Sequence, residues 1–127
     1  MHKIILIGVG GFIGSILRYL VSGYIQNLSK NISIPYGTFA VNVIGCFLIG
    51  MFSHLAELQI GMTLETRLLL IVGFLGSFTT YSTFGNETMT LLQDQRFFLA
   101  LLNIGAHIIA GLSAVLLGRL IINAIWR

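Results

Sequence analysis

Charge is what this sequence has least of. Only 9% of its 127 residues are charged, seven Lys or Arg against four Asp or Glu. A soluble domain carries about 25%. With 56% hydrophobic residues and a mean hydropathy of +0.94, the shortage places the chain in a membrane. The net charge of +3 is no nucleic-acid footprint, because the basic residues are single and scattered rather than patched. Cys46 is the one cysteine, which excludes a disulfide within the chain; in its apolar stretch it reads as a small buried hydrophobe. No Cys/His pair stands at zinc spacing, no phosphate-loop lysine is present, and no Gly-x-Ser-x-Gly elbow precedes a serine. Ser82 and His107 fall on different helices, so nothing resembles a catalytic set and the chain does not read as an enzyme. One proline, no low-complexity tract and short connections leave room for a single domain, residues 1–127. Met1-His2-Lys3 before an apolar run resembles a signal peptide. The run continues past any cleavage site and carries Arg18, so it reads as a retained helix.

What is abundant is long apolar sequence. A bilayer core takes about 20 apolar residues per helix, and four segments qualify: 4–25, 38–55, 68–92 and 97–125. The expected loops are 27–35, 57–67 and 93–96, with Pro35 and Gly37 marking the start of the second span. Four spans put both termini on one side, together with Lys3, Arg67 and Arg127, and with Arg119 if it snorkels; Lys30 and Arg96 lie on the other. The Lys/Arg excess that orients a membrane protein is weak here. Two readings follow: one orientation with a modest signal, or dual topology with copies pairing antiparallel. Four helices also make thin walls for a pore, which favours a dimer. Gly10-Gly11-Phe12-Ile13-Gly14-Ser15 and the stripe Ala106, Ala110, Ala114, Gly118 let backbones approach closely, either within the chain or between subunits.

The third span contains Gly76-Ser77-Phe78-Thr79-Thr80-Tyr81-Ser82-Thr83-Phe84, hydroxyls interleaved with rings behind a glycine. Backbone at membrane depth leaves its helix only where protein or a watery path re-satisfies the freed groups. The block therefore reads as a discontinuous helix lining a path for a small polar species. Other polar residues at bilayer depth are functional suspects by their cost. Arg18 either snorkels or acts as a buried cation that draws anions or fixes a broken helix. Asn42 donates to an anion or bonds across helices. Glu87 is a proton carrier, a partner for Arg18, or a vestibule residue. Asn103, His107 and Gly111 share a face of the last span, where His107 reads more readily as an interhelical hydrogen-bonder than as an ion ligand. Donors outnumber carboxylates in this set, and ring edges at Tyr81 and Phe84 carry partial positive charge. The balance leans towards a small, strongly hydrogen-bonding anion.

Three blocks carry a family resemblance: 10–19 with Arg18 and Tyr19, 37–45 with Asn42 followed by Gly50, and 73–84. Together they resemble the Fluc/CrcB family of fluoride channels, and the third block is the most specific. The resemblance covers essentially the whole chain. It implies an all-α membrane protein of four transmembrane helices with the third broken near its middle, assembled as an antiparallel dual-topology homodimer in the cell membrane. It implies passive, fluoride-selective export and a structural sodium ion at the dimer interface, held by the main-chain carbonyls of Gly76 and Thr79. By the same resemblance Asn42, Tyr81, Ser82, Thr83, Phe84 and Glu87 belong to the fluoride path and Arg18 matches a structural buried arginine; Asn103 and His107 read, from their own positions, as structural buried polar residues. The sequence departs from the family's pattern at Tyr81, where Phe is commoner, at Gly85, where Ser is common, and at Gly111 and Val115, where relatives often carry hydroxyls. A small dual-topology multidrug or guanidinium-type exporter is the rival reading. Such carriers rest on a glutamate in the first span, which here has Arg18 instead. A membrane subunit whose glycines merely pack leaves the 76–84 block unexplained.

Overall fold

Apolar runs of this length satisfy their backbone polarity only as helix, and the computed structural model of residues 1–127 consists of helices joined by short turns. They are α1 (His2–Ser29), α2 (Tyr36–Glu57), α3 (64–78), α4 (Tyr81–Gln93) and α5 (Phe97–Ile125). α1, α2, the α3–α4 pair and α5 give four helices long and apolar enough to cross a membrane.

The turns are fixed by identifiable residues. Lys30 closes α1 in the left-handed conformation at φ 52°. Gln26 then ties the next turn down. Its amide donates to the carbonyls of Asn31 (2.6 Å) and Ile34 (3.0 Å) and accepts from the Gly37 N–H (3.0 Å). α3 begins earlier than hydropathy suggests: 64–67, expected as loop, is helical. The reason is local, since the Thr63 hydroxyl accepts from the Thr66 N–H at 3.2 Å and caps the helix. Within α3, Leu68–Leu75 winds as a π-helix, a feature no pattern in that uniformly apolar run announces.

Between α3 and α4 the chain leaves the helix for two residues. Thr79 (φ −89°, ψ 156°) and Thr80 (φ −149°, ψ 120°) are extended, a conformation that β-branched side chains favour. The third span is therefore broken near its middle, as the hydroxyl-rich block suggested.

α2 packs most extensively on α5, and α1 on α3. Small residues make both contacts possible: a Cβ at Gly10 would run into the Leu69 carbonyl, and one at Gly118 into that of Phe47. α2 and α5 are also clamped at the terminal side, where the Arg119 guanidinium donates to both Glu57 oxygens at 2.8 and 2.6 Å. Only 18 of 127 residues are buried. The outward surface is largely Leu, Ile and Phe, including Phe12, Leu101, Ile109 and Leu112, which suits hydrocarbon rather than water.

Candidate functional site

An unbroken helix would have the Thr80 N–H donate to the Gly76 carbonyl. Asn42, about two turns into α2, intercepts it. The Asn42 side-chain oxygen accepts from the Thr80 N–H at 2.8 Å, and its amide nitrogen donates to the Thr80 carbonyl at 3.1 Å. One side chain thus satisfies both polar groups of the residue that leaves the helix. The last helical bond before the break runs from Thr79 N–H to the Leu75 carbonyl at 3.1 Å. Beyond it the carbonyls of residues 76–79 find no donor within the chain.

On the far side of the break, hydroxyls cap α4. Thr80 Oγ1 accepts from the Thr83 N–H at 3.3 Å, donates to Thr83 Oγ1 at 3.1 Å and lies 3.3 Å from Ser82 Oγ. The break therefore sets the positive N-terminal pole of α4 against the negative C-terminal pole of α3. Cation-seeking oxygens and anion-seeking N–H groups stand within a few residues of each other at membrane depth. Two neighbours hold the geometry. Ser77 Oγ donates to the Gly11 carbonyl at 2.9 Å, fastening α3 to α1. Gly45 lies where any Cβ would collide with Thr79 Cγ2.

A groove of about 430 Å³ opens over the break, lined by Asn42, Gly76, Thr79, Tyr81, Phe84 and His107 among others. Its aromatic wall is continuous. The Tyr81 and Phe84 rings are 5.8 Å apart and tilted by 46°, Phe84 lies 4.4 Å from the His107 ring, and Phe39 meets His107 edge-on at 5.3 Å. Tyr81 is 85% exposed at the rim, so one copy of the chain leaves that wall open.

The remaining sequence-selected residues divide. Ser82 and Thr83 are exposed, outside the groove, and act in the α4 cap. Glu87 opens instead onto a second cavity, about 740 Å³, shared with Lys30, Asp94 and Arg96 near the end of the bundle away from the termini. Its Oε1 accepts from Thr38 Oγ1 at 2.6 Å, and its Oε2 is buried without a partner. Thr38, rather than Arg18, is thus the partner of Glu87; Arg18 is half-buried on α1 and makes no hydrogen bond or ion pair within the chain. Asn103 Nδ2 donates to Thr88 Oγ1 at 3.0 Å, and Thr88 in turn donates to the Phe84 carbonyl at 2.8 Å. His107 Nδ1 sits 2.9 Å from the Asn103 carbonyl. Sequence reasoning passed over Thr38 and Thr88. Thr38 had a signal: it stands one turn before Asn42, on the same face of α2.

A four-span helical membrane protein with a broken third helix, opposed helix poles and an aromatic-lined groove is the class this architecture defines. The family profile described as "CrcB-like protein, Camphor Resistance (CrcB)" matches residues 5–119, and the chain belongs to that family. It is similar to "Fluoride-specific ion channel FluC 1" of Methanosarcina acetivorans, 44% identical over 120 residues that cover 94% of this chain and 90% of that protein. It is 42% identical over 127 residues to "Fluoride-specific ion channel FluC" of Maridesulfovibrio salexigens, covering 97% of this chain and all of the relative. A protein of the same name from Methanococcus aeolicus is 40% identical over the whole of both chains.

Proposed function

We propose that this chain is a fluoride-selective channel, a multi-pass protein of the cell membrane that lets fluoride leave the cell passively. The observation that carries the reading is the break at Thr79 and Thr80, with the α4 N-terminus, the Asn42 amide and the Tyr81 and Phe84 rings gathered beside one groove. The names of its relatives agree with it. Asn42 spends one of its two amide N–H bonds on the Thr80 carbonyl and keeps the other for an anion. Fluoride sheds water and exchanges it for this N–H and for the positive ring edges of Tyr81 and Phe84. Selectivity over chloride follows from a narrow path whose donors are spaced for the smaller ion. Glu87 lies towards the mouth, in the cavity with Lys30 and Arg96, where the ion is still hydrated.

The working unit in this reading is an antiparallel homodimer surrounded by lipid. The exposed Gly76 and the 85% exposed Tyr81 on the rim of the groove support it, because a second copy covers both. The undonated carbonyls at the break suit a hard cation, which takes oxygen ligands. Those of Gly76 and Thr79 from two copies, related by a two-fold axis, would hold one sodium ion. When bound, that ion supplies positive charge that neutralises the carbonyl poles and ties the two broken helices together.

The test is fluoride efflux from liposomes carrying the purified protein, read by a fluoride electrode with voltage clamped by valinomycin and chloride as control. Rapid fluoride release with negligible chloride release is the expected result, weakened in Phe84→Ile and Asn42→Ala. Absence of fluoride flux from folded, reconstituted protein would overturn the reading.

A further inference from the structure

His107 is the one imidazole in the groove wall, and its surroundings fix what it can offer an ion. Its Nδ1 lies 2.9 Å from the Asn103 main-chain oxygen. A carbonyl only accepts, so Nδ1 carries the proton, and in the neutral ring Nε2 is left with a bare lone pair. That Nε2 is buried and has no partner in the chain. The ring is held in place on two sides, by Phe84 at 4.4 Å and by the edge contact with Phe39 at 5.3 Å. It therefore stands beside Phe84, facing the groove with Asn42, in one of two chemical states. Neutral, Nε2 presents an acceptor and repels an anion. Protonated, it presents an N–H donor and a positive charge.

We propose that His107 is a specificity-determining residue of the conduction path, binding fluoride through Nε2–H only when the ring is protonated, so that proton and fluoride bind here together. The inference rests on the channel reading above and adds to it that flux rises on acidification. The elements packed against this part of α5 are α2 and α4. Of their titratable groups, Cys46 on α2 and Tyr81 on α4 line the same groove, and Glu87 follows Phe84 by three residues on α4 and faces the second cavity. Of these only Glu87 has an ordinary titration on the acid side of neutral, and its Oε1 is already engaged by Thr38. Glu87 is thus the competing explanation for any pH dependence.

Two measurements test the proposal. In liposomes, with protein-free vesicles subtracting the permeation of neutral hydrogen fluoride, wild-type fluoride flux should rise about threefold or more from pH 7.5 to 5.5. His107→Gln, which offers an amide donor at every pH, should flatten that profile, and Glu87→Gln should keep it. Separately, isotope-labelled histidine is titrated by NMR in the purified protein, and the His107 signal is identified as the one missing from His107→Gln. Saturating fluoride, but not chloride, should move that titration to higher pH, because a ligand that binds only the protonated ring stabilises it. A flat wild-type profile, a His107→Gln profile as steep as wild type, or a titration unmoved by fluoride overturns the assignment. A fluoride-shifted titration without flux at any pH would support the binding site and overturn the channel reading instead.

Discussion

Removing the Asn42 amide is the sharpest test of how the third helix is broken. Asn42→Ala deletes the bonds of 2.8 and 3.1 Å to Thr80 and leaves the Thr80 N–H and carbonyl without partners at membrane depth. Hydrogen bonds between membrane helices contribute about 0.6 kcal/mol on average and up to about 1.7, so the pair is worth about 1–3 kcal/mol. At about 1.4 kcal/mol per tenfold, the population in which Thr80 is unclipped rises by about 5- to 150-fold. Amide hydrogen exchange in nanodiscs reads this directly at Thr80, whose wild-type N–H is held by a side chain rather than by the helix. Asn42→Asp sharpens the comparison: a carboxylate still accepts from the Thr80 N–H but cannot donate to its carbonyl. Its Thr80 exchange should fall between wild type and Asn42→Ala. Its fluoride flux should fall at least as far as that of Asn42→Ala, since it adds negative charge to an anion path. Unchanged Thr80 exchange in Asn42→Ala would refute the clip.

Three further outcomes are expected. Gly45→Ala places a Cβ onto Thr79 Cγ2 and should cost about 1–3 kcal/mol in a detergent unfolding measurement. Gly105→Ala, where a Cβ meets nothing within 4 Å, should be neutral or stabilising by up to about 1 kcal/mol; equal effects at the two sites would contradict the packing argument. Thr38→Val removes the only donor to Glu87 and should depress fluoride flux, with Thr38→Ser restoring it; full flux in the valine variant would detach Glu87 from conduction. A double-mutant cycle of Thr88→Val with Asn103→Leu should give a coupling of about 0.6 kcal/mol and no more than about 1.7, and additive effects would mean the 3.0 Å bond between them carries no stability.

Composition and local chemistry made the bundle legible. The four apolar runs and the hydroxyl-rich block at 76–84 announce spans and a break because lipid leaves the backbone few alternatives. Boundaries were less visible: the Thr63 cap that starts α3 lies in a polar stretch that reads equally well as loop. What pairs with what was least visible of all. Asn42 meets Thr80 across 38 residues and Thr38 meets Glu87 across 49, and nothing in a threonine's own surroundings says whether its hydroxyl caps, clips or bonds across helices. Arg18 shows the converse. Its charge made it one of three readings offered for Glu87, yet the one bond Glu87 makes comes from a neutral hydroxyl on the neighbouring helix, and its other oxygen is buried without a partner.

The undonated carbonyls of the break bear on how the protein is made. Nascent helices leave the insertion machinery singly, and a lone copy would expose Gly76 and its unpartnered carbonyl to hydrocarbon. Each such group costs several kcal/mol there. Solitary copies are therefore poor end-products, under strong pressure to find something that covers the break or to be cleared by proteolysis. In the homodimer proposed above, the backbone defect that would hold an ion in the finished protein would act earlier as a quality-control mark, tying abundance to completed assembly.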